Sequence, residues 1–197
     1  GAATAWAATH RVALEAVAHD EIRELEPDLR ELPSGALWLP DVAHVRNPRL
    51  VKALRADVTA RGVRLLEGHP VTGWRCGSGF SPPADQPVRV TAVETPHGLI
   101  ASETFIVCAG SWTGELLGPL GVRPDIHPVK GQMILFRARL GTVRTIHLAA
   151  DRYAIPRRDG RVLFGSTVEE TGFDKRTTDA ARDELWRIAT KRFPALR

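Results

Sequence analysis

The spacing of apolar positions changes several times along this chain. Residues 5–18 are Ala-rich, and Val12, Ala13, Ala16, Val17 and His19 form a stripe at helical spacing, which predicts a helix there. Asp20 is placed to cap a short helix through Leu25, and Pro27 stops it. Ser34-Gly35 predicts a turn into a short apolar strand over 36–39. The clearest helical signal starts at residue 47. Asn47 is a capping residue and Pro48 takes the first helical position. Leu50, Val51, Leu54 and Val58 share one face, and Gly62 suits a left-handed terminal residue. Residues 63–66 then predict a strand, so 47–66 reads as the second half of a βαβ-like unit with no obvious parallel partner upstream.

From residue 71 a period of two takes over. Strands are predicted at 71–75 and 88–95, separated by a Gly/Ser/Pro loop over 77–86. Pro96-His97-Gly98 turns the chain into a return strand at 99–102. The most informative run follows, at 104–112. Five apolar residues, from Phe105 to Ala109, stop at Gly110 and Ser111. That pattern predicts a buried strand ending where a ligand approaches the backbone, because glycine has no side chain to block it. In open α/β sheets ligands sit just outside the carboxyl ends of strands. Beyond it come a helical turn at 114–117 and strands at 133–136, 145–148, 152–156 and 162–164. Arg158-Asp159-Gly160-Arg161 is a hairpin signal. Thr177, Thr178 or Asp179 caps a final helix whose Ala181, Leu185, Ile188 and Ala189 face inward, and Phe193-Pro194 ends it. The expected fold class is α+β: mostly antiparallel sheet with helices, plus a partial α/β unit.

Composition narrows the function classes. The 197 residues are 43% hydrophobic and 25% charged, ordinary values for a globular chain able to bury a core. The formal net charge of +4 comes mostly from scattered arginines, and no run of five like charges marks a nucleic-acid arm. No apolar stretch has the length of a membrane span. Cys76 and Cys108 fit no zinc or redox spacing. Cys108 is expected to be a buried thiol, and a cytoplasmic location is the default.

Candidate chemistry is sparse. The seven histidines make no metal-binding spacing. The chain has no nucleophile elbow, no Gly-Lys-Ser/Thr phosphate loop and no Gly-x-Gly-x-x-Gly. Gly77-Ser78-Gly79 lies in a Pro-rich loop without a following helix. Trp112 either packs in the core or lines a ligand. Tyr153, the sole tyrosine, is either half-buried packing or a hydroxyl that orients an anionic group.

Four segments, in order, resemble the FAD-dependent D-amino-acid oxidase superfamily. They are Ala109-Gly110-Ser111-Trp112, Pro128-Val129-Lys130-Gly131-Gln132-Met133, Tyr153-Ala154-Ile155-Pro156-Arg157-Arg158-Asp159-Gly160-Arg161, and Gly165-Ser166-Thr167-Val168-Glu169. Gly35-Ala36-Leu37-Trp38, the Asn47-Pro48 helix and the stretch from Gly165 through Gly172-Phe173-Asp174 to Thr178 fit the same family. The branch they are most similar to is the glycine oxidase of thiamine biosynthesis. An apolar Leu163 favours that branch, because sarcosine-oxidase relatives carry a lysine near that place.

The resemblance implies FAD as cofactor, with Val71, Ala109, Gly110 and Trp112 as cofactor neighbours. It implies a small amine or amino acid as substrate, with Tyr153 holding its carboxylate and Val168 bordering the pocket. No side chain is implied as a catalytic base. The implied domains are 1–46 and 116–197 as a substrate domain and 47–115 as part of an FAD-binding domain. The family's carboxylate-clamping arginine would lie beyond residue 197 and its dinucleotide fingerprint before residue 1. An internal fragment, inactive and without stably bound FAD by itself, is therefore expected. Relatives commonly form dimers or tetramers, so a homo-oligomer is among the implied partners, with oxygen as electron acceptor. Two other readings stay open: an FAD-dependent dehydrogenase of hydroxy acids or polyol phosphates, and a non-catalytic binding fragment.

Overall fold

A computed structural model describes residues 2–77 and 89–197. The predicted 77–86 loop, including Ser78-Gly79, and the predicted strand start at Val88 therefore lie outside the described residues, save for Gly77 itself. The chain is a mixed helix and antiparallel-sheet structure that divides into two compact units. One comprises residues 1–46 and 129–197, the other 47–128.

The first unit opens with α1 (Ala2–His10), β1 (Glu15–Ala18), α2 (His19–Leu25) and β2 (Gly35–Trp38). β1 and β2 pair antiparallel. The predicted helix over 5–18 therefore stops at His10, and its last four residues are strand. Arg11 adopts φ 55° and Val12 N–H bonds back to the Ala7 carbonyl at 2.9 Å, so the helix closes in a left-handed residue that composition does not announce. Asp20 is not the cap of α2. Glu21 reaches back to accept from the Ala18 backbone N–H at 2.7 Å instead.

The unit is completed by β6 (Met133–Arg137), β7 (His147–Ala149), β8 (Arg152–Pro156), β9 (Arg161–Gly165) and α5 (Asp179–Arg192). The four strands form one antiparallel sheet in the order β6-β9-β8-β7. Its inner face carries Phe136, Val162, Phe164 and Ala154, and α5 covers it with Ala181, Leu185 and Ala189. Phe136 also meets the Trp186 ring, with centroids 5.0 Å apart. Thr178 caps α5 by accepting from the Ala181 N–H. A buried carboxylate ties the small helix to the sheet: Glu26 accepts from Arg144 N–H at 3.0 Å and from the Thr145 hydroxyl at 2.6 Å.

The second unit has α3 (Asn47–Ala60), the sheet β3 (Gly73–Cys76), β4 (Val90–Thr95) and β5 (Gly98–Ala101), and the short α4 (Thr113–Leu117). The sheet is antiparallel in the order β3-β4-β5. Gly62 follows α3 at φ 78°. Two predicted strands do not form. Residues 63–66 and 104–109 have no ladder partner among the described residues, and a strand without a neighbour leaves its backbone to water. Residues 105–109 still alternate between half-buried and exposed, but Ile106 is 86% exposed. Cys108, expected to be buried, is exposed.

Candidate functional site

Alternation along β6, β8 and β9 leaves the sheet with a second face opposite α5. Met133, Leu135, Tyr153, Ile155, Leu163 and Gly165 belong to it by register and burial. Tyr153 on β8 is directly opposite Gly165 on β9, which is opposite Met133 on β6. The next row along is Ile155, Leu163 and Leu135. The Tyr153 ring thus has a glycine, with no side chain, as its cross-strand neighbour. A Cβ at Gly165 would meet the Met133 Cγ at 2.9 Å and the Gln132 carbonyl at 3.2 Å, so any side chain there forces the Met133 side chain and β6 to shift. Leu148 of β7, 72% exposed, extends the apolar surface on the other side of Tyr153. These strand positions offer a flat apolar floor with one hydroxyl and no carboxylate or histidine.

Val168 lies just past Gly165 and is 73% exposed. The segment beneath it is pinned on both sides. Thr167 N–H donates to the Gln132 carbonyl, and Lys130 and Glu169 exchange backbone hydrogen bonds at 2.9 Å. Below the backbone runs a polar network. Glu169 accepts from the Thr167 hydroxyl, from Gln132 Nε2 at 2.8 Å and from Lys130 Nζ at 2.9 Å. Gln132 Oε1 accepts from Thr178 N–H at 2.8 Å, which joins the network to the start of α5. The three donors around Glu169, the Thr167 hydroxyl first, hold its carboxyl down to about 2. The approach is tight at Gly131, where a Cβ would meet the Thr167 carbonyl at 3.1 Å. Sequence reasoning quoted these segments but missed the network. Its one signal was the cluster of polar residues beside each apolar strand.

The other four predicted residues belong to the second unit. Ala109, Gly110 and Trp112 are nearly consecutive, where the unpaired segment runs into a single 3-10 turn and then α4. Gly110 has φ 54°, and the place of a missing Cβ is open space, so a flat ring has room to reach this backbone. Trp112 is 45% exposed. Val71 sits two residues before β3 rather than on it, and is 38% exposed. Trp74 joins these parts within the unit: its Nε1–H donates to the Leu116 carbonyl at 2.7 Å, and its ring meets Phe105 edge-on. No cluster of three His, Cys, Asp or Glu among the described residues is arranged to hold a metal. No helix among them is long and apolar enough to cross a membrane.

Comparisons with known proteins bear on both units at once. A family model described as FAD dependent oxidoreductase (DAO) matches residues 1–197. The chain is 41% identical over 199 aligned residues to a glycine oxidase of Pseudomonas putida, covering 98% of this chain and 51% of that protein. It is 40% identical to a glycine oxidase of Pseudomonas aeruginosa, covering 97% of this chain and 50% of that one. The crystal structure of glycine oxidase from Geobacillus kaustophilus superimposes with a TM-score of 0.85 at 25% identity, over 98% of this chain and 50% of that one. The chain spans about half the length of these relatives.

Proposed function

Because the chain belongs to the DAO family of FAD-dependent oxidoreductases, we propose that its activity is the oxidation of a small amine or amino acid (glycine, sarcosine or a D-amino acid) to an imine, with oxygen as final acceptor and hydrogen peroxide as product. The observation that carries this reading is the likeness to two glycine oxidases over nearly the entire chain. When bound, FAD supplies the two-electron acceptance at the substrate α-carbon and the onward transfer to oxygen. In this reading Ala109, Gly110 and Trp112 border the flavin, Val71 meets the adenine through its backbone, and residues 47–115 belong to the FAD-binding domain.

The residues of the four-stranded sheet bind and orient the substrate. The Tyr153 hydroxyl donates to one oxygen of the substrate carboxylate. Gly165 keeps the surface beside it clear, and Leu135, Ile155 and Leu163 exclude water from the reacting carbon. Val168 closes one edge. The floor has no carboxylate or imidazole to take a proton, which suits an amine that arrives neutral, since the α-carbon then needs no side-chain base.

Oxygen consumption with glycine, sarcosine and D-amino acids tests this reading. Turnover of hydroxy acids or polyol phosphates, without amine oxidation, overturns it. Tyr153→Phe separates binding from chemistry. Loss of a hydrogen bond to a charged group, about 1.5–3 kcal/mol, raises KM roughly ten- to hundred-fold with kcat little changed. A collapse of kcat at unchanged KM would show that Tyr153 has another role.

A further inference from the structure

The hairpin end of the four-stranded sheet holds a cavity of about 350 Å³ that neither the core nor the outer face explains. Tyr153 lies three residues back along β8, about 10 Å away at strand rise. Val143 and Val162 line the cavity, and so do five arginines: Arg139, Arg144, Arg157, Arg158 and Arg161. No carboxylate does. Two of the five are occupied. Arg161 pairs with Asp159 at 2.8 Å, a carboxylate that also meets Arg46, and Arg144 reaches the Glu24 carbonyl at 3.5 Å. Arg139, Arg157 and Arg158 have no side-chain partner among the described residues, and the Nε of Arg157 is buried without an acceptor.

A second basic pocket in the same unit is built differently. Arg152, Arg187, Lys191 and Arg192 line it; Glu184, Glu31 and the Ala149 carbonyl hold Arg152, Lys191 and Arg192 in turn, while Arg187 has no side-chain partner among the described residues and Arg152 Nε is buried without an acceptor. Two carboxylates, Glu31 and Asp151, also line it. Charge alone is therefore common on this surface; the first cavity is distinguished by three unpartnered arginines, against one in the second, and by a lining without a carboxylate. Like charges around a low-dielectric hollow focus a positive potential. Guanidinium groups match phosphate oxygens in a bidentate fork. The volume lies at the small end of ligand pockets, which suits a compact metabolite better than a polymer.

We propose that this cavity binds a small phosphate-bearing anion, held by Arg139, Arg157 and Arg158 over the Val143 and Val162 floor. The site is independent of the oxidase reading, because it uses none of the same residues.

Calorimetric titration of the full natural chain with inorganic pyrophosphate tests it. The expected result is saturable binding at one site, weakened by about ten-fold or more in the Arg139→Ala/Arg158→Ala variant. Both residues are exposed, so that variant keeps its fold. Arg187→Ala/Lys191→Ala removes the same charge from the second pocket and leaves the affinity unchanged. Citrate, an equally charged polycarboxylate, binds more weakly. No saturable binding, equal weakening in both double variants, or citrate binding as tight as pyrophosphate would each overturn the proposal.

Discussion

Gly165→Ala probes the point where the sheet's outer face is tightest. The new Cβ would stand 2.9 Å from the Met133 Cγ and 3.2 Å from both the Met133 Cα and the Gln132 carbonyl oxygen. The first contact is relieved by turning the Met133 side chain, which is 44% exposed. The other two involve the backbone of β6, so the ladder must open by a few tenths of an ångström. Overpacking of this kind costs about 1–3 kcal/mol. Against it, Gly→Ala lowers the entropy of the unfolded chain and returns about 0.4–1 kcal/mol. At the midpoints of these ranges the net is a loss of about 1.3 kcal/mol, or about 3–5 °C in Tm for a chain of this size. Thermal unfolding of wild type, Gly165→Ala and Gly165→Ala/Met133→Ala measures it. The double variant recovers only the part due to the Cγ contact. If the proposed oxidase reading holds, the added methyl, on the residue opposite Tyr153, also raises KM. A variant as stable as wild type, with unchanged KM, would refute both the steric reading and the place given to Gly165 in the substrate floor.

Leu185→Ala in the fully buried face of α5 costs about 2–5 kcal/mol by urea unfolding, while Leu148→Ala, at a 72% exposed position, is near neutral. Thr178→Ala removes both the α5 cap and the acceptor for Gln132 Nε2, and costs about 1–2 kcal/mol, with Thr178→Ser restoring most of it. The folded-state carboxyl of Glu169 titrates at about 2 against an ordinary 4.5, so on acidification the unfolded chain takes up the proton first. The stability due to Glu169 is therefore complete above about pH 4.5 and is lost as pH falls toward 2. Glu169→Gln flattens the stability profile across that window.

The parts of the fold legible in sequence are those whose burial is supplied locally. The 152–156 strand has the bounds the pattern predicts, and the turn at Asp159-Gly160 joins it to β9, with Gly160 at φ 76°. The start of α5, capped by Thr178 among the three candidates at 177–179, and its inward face were also readable, because a helix with a capping residue and an apolar stripe needs only one surface to pack on. The 5–18 helix failed for a different reason. Its second half pairs Glu15–Ala18 with Gly35–Trp38, and a tertiary ladder overrode helix propensity. Around the candidate site, the place of Tyr153 on a strand was legible because the apolar run at 152–156 marks that strand. The bare surface at Gly165 was not, because register across β8, β9 and β6 decides it.

The two failed strands, 63–66 and 104–109, point to a shared cause. An apolar run reports what a segment needs, and burial depends on whether another element meets that need. The hydrophobic core cluster of this chain lies entirely in the unit of residues 1–46 and 129–197. In the unit of 47–128, Ala92 is the one buried hydrophobic residue among those described. α3 buries none of its residues, and Val51, Leu54, Val63 and Leu65 are each more than two-fifths exposed. A 14-residue helix without tertiary cover is marginal in water, since packing of an apolar face supplies most helical stability. The apolar faces of α3 and of 63–66 therefore call for a further layer that the described residues do not supply. Ile106 and the opening at Gly110 lie in this same under-covered unit. The run that looked like a buried strand ending at a ligand is, among the described residues, an unpaired segment that ends in a left-handed glycine.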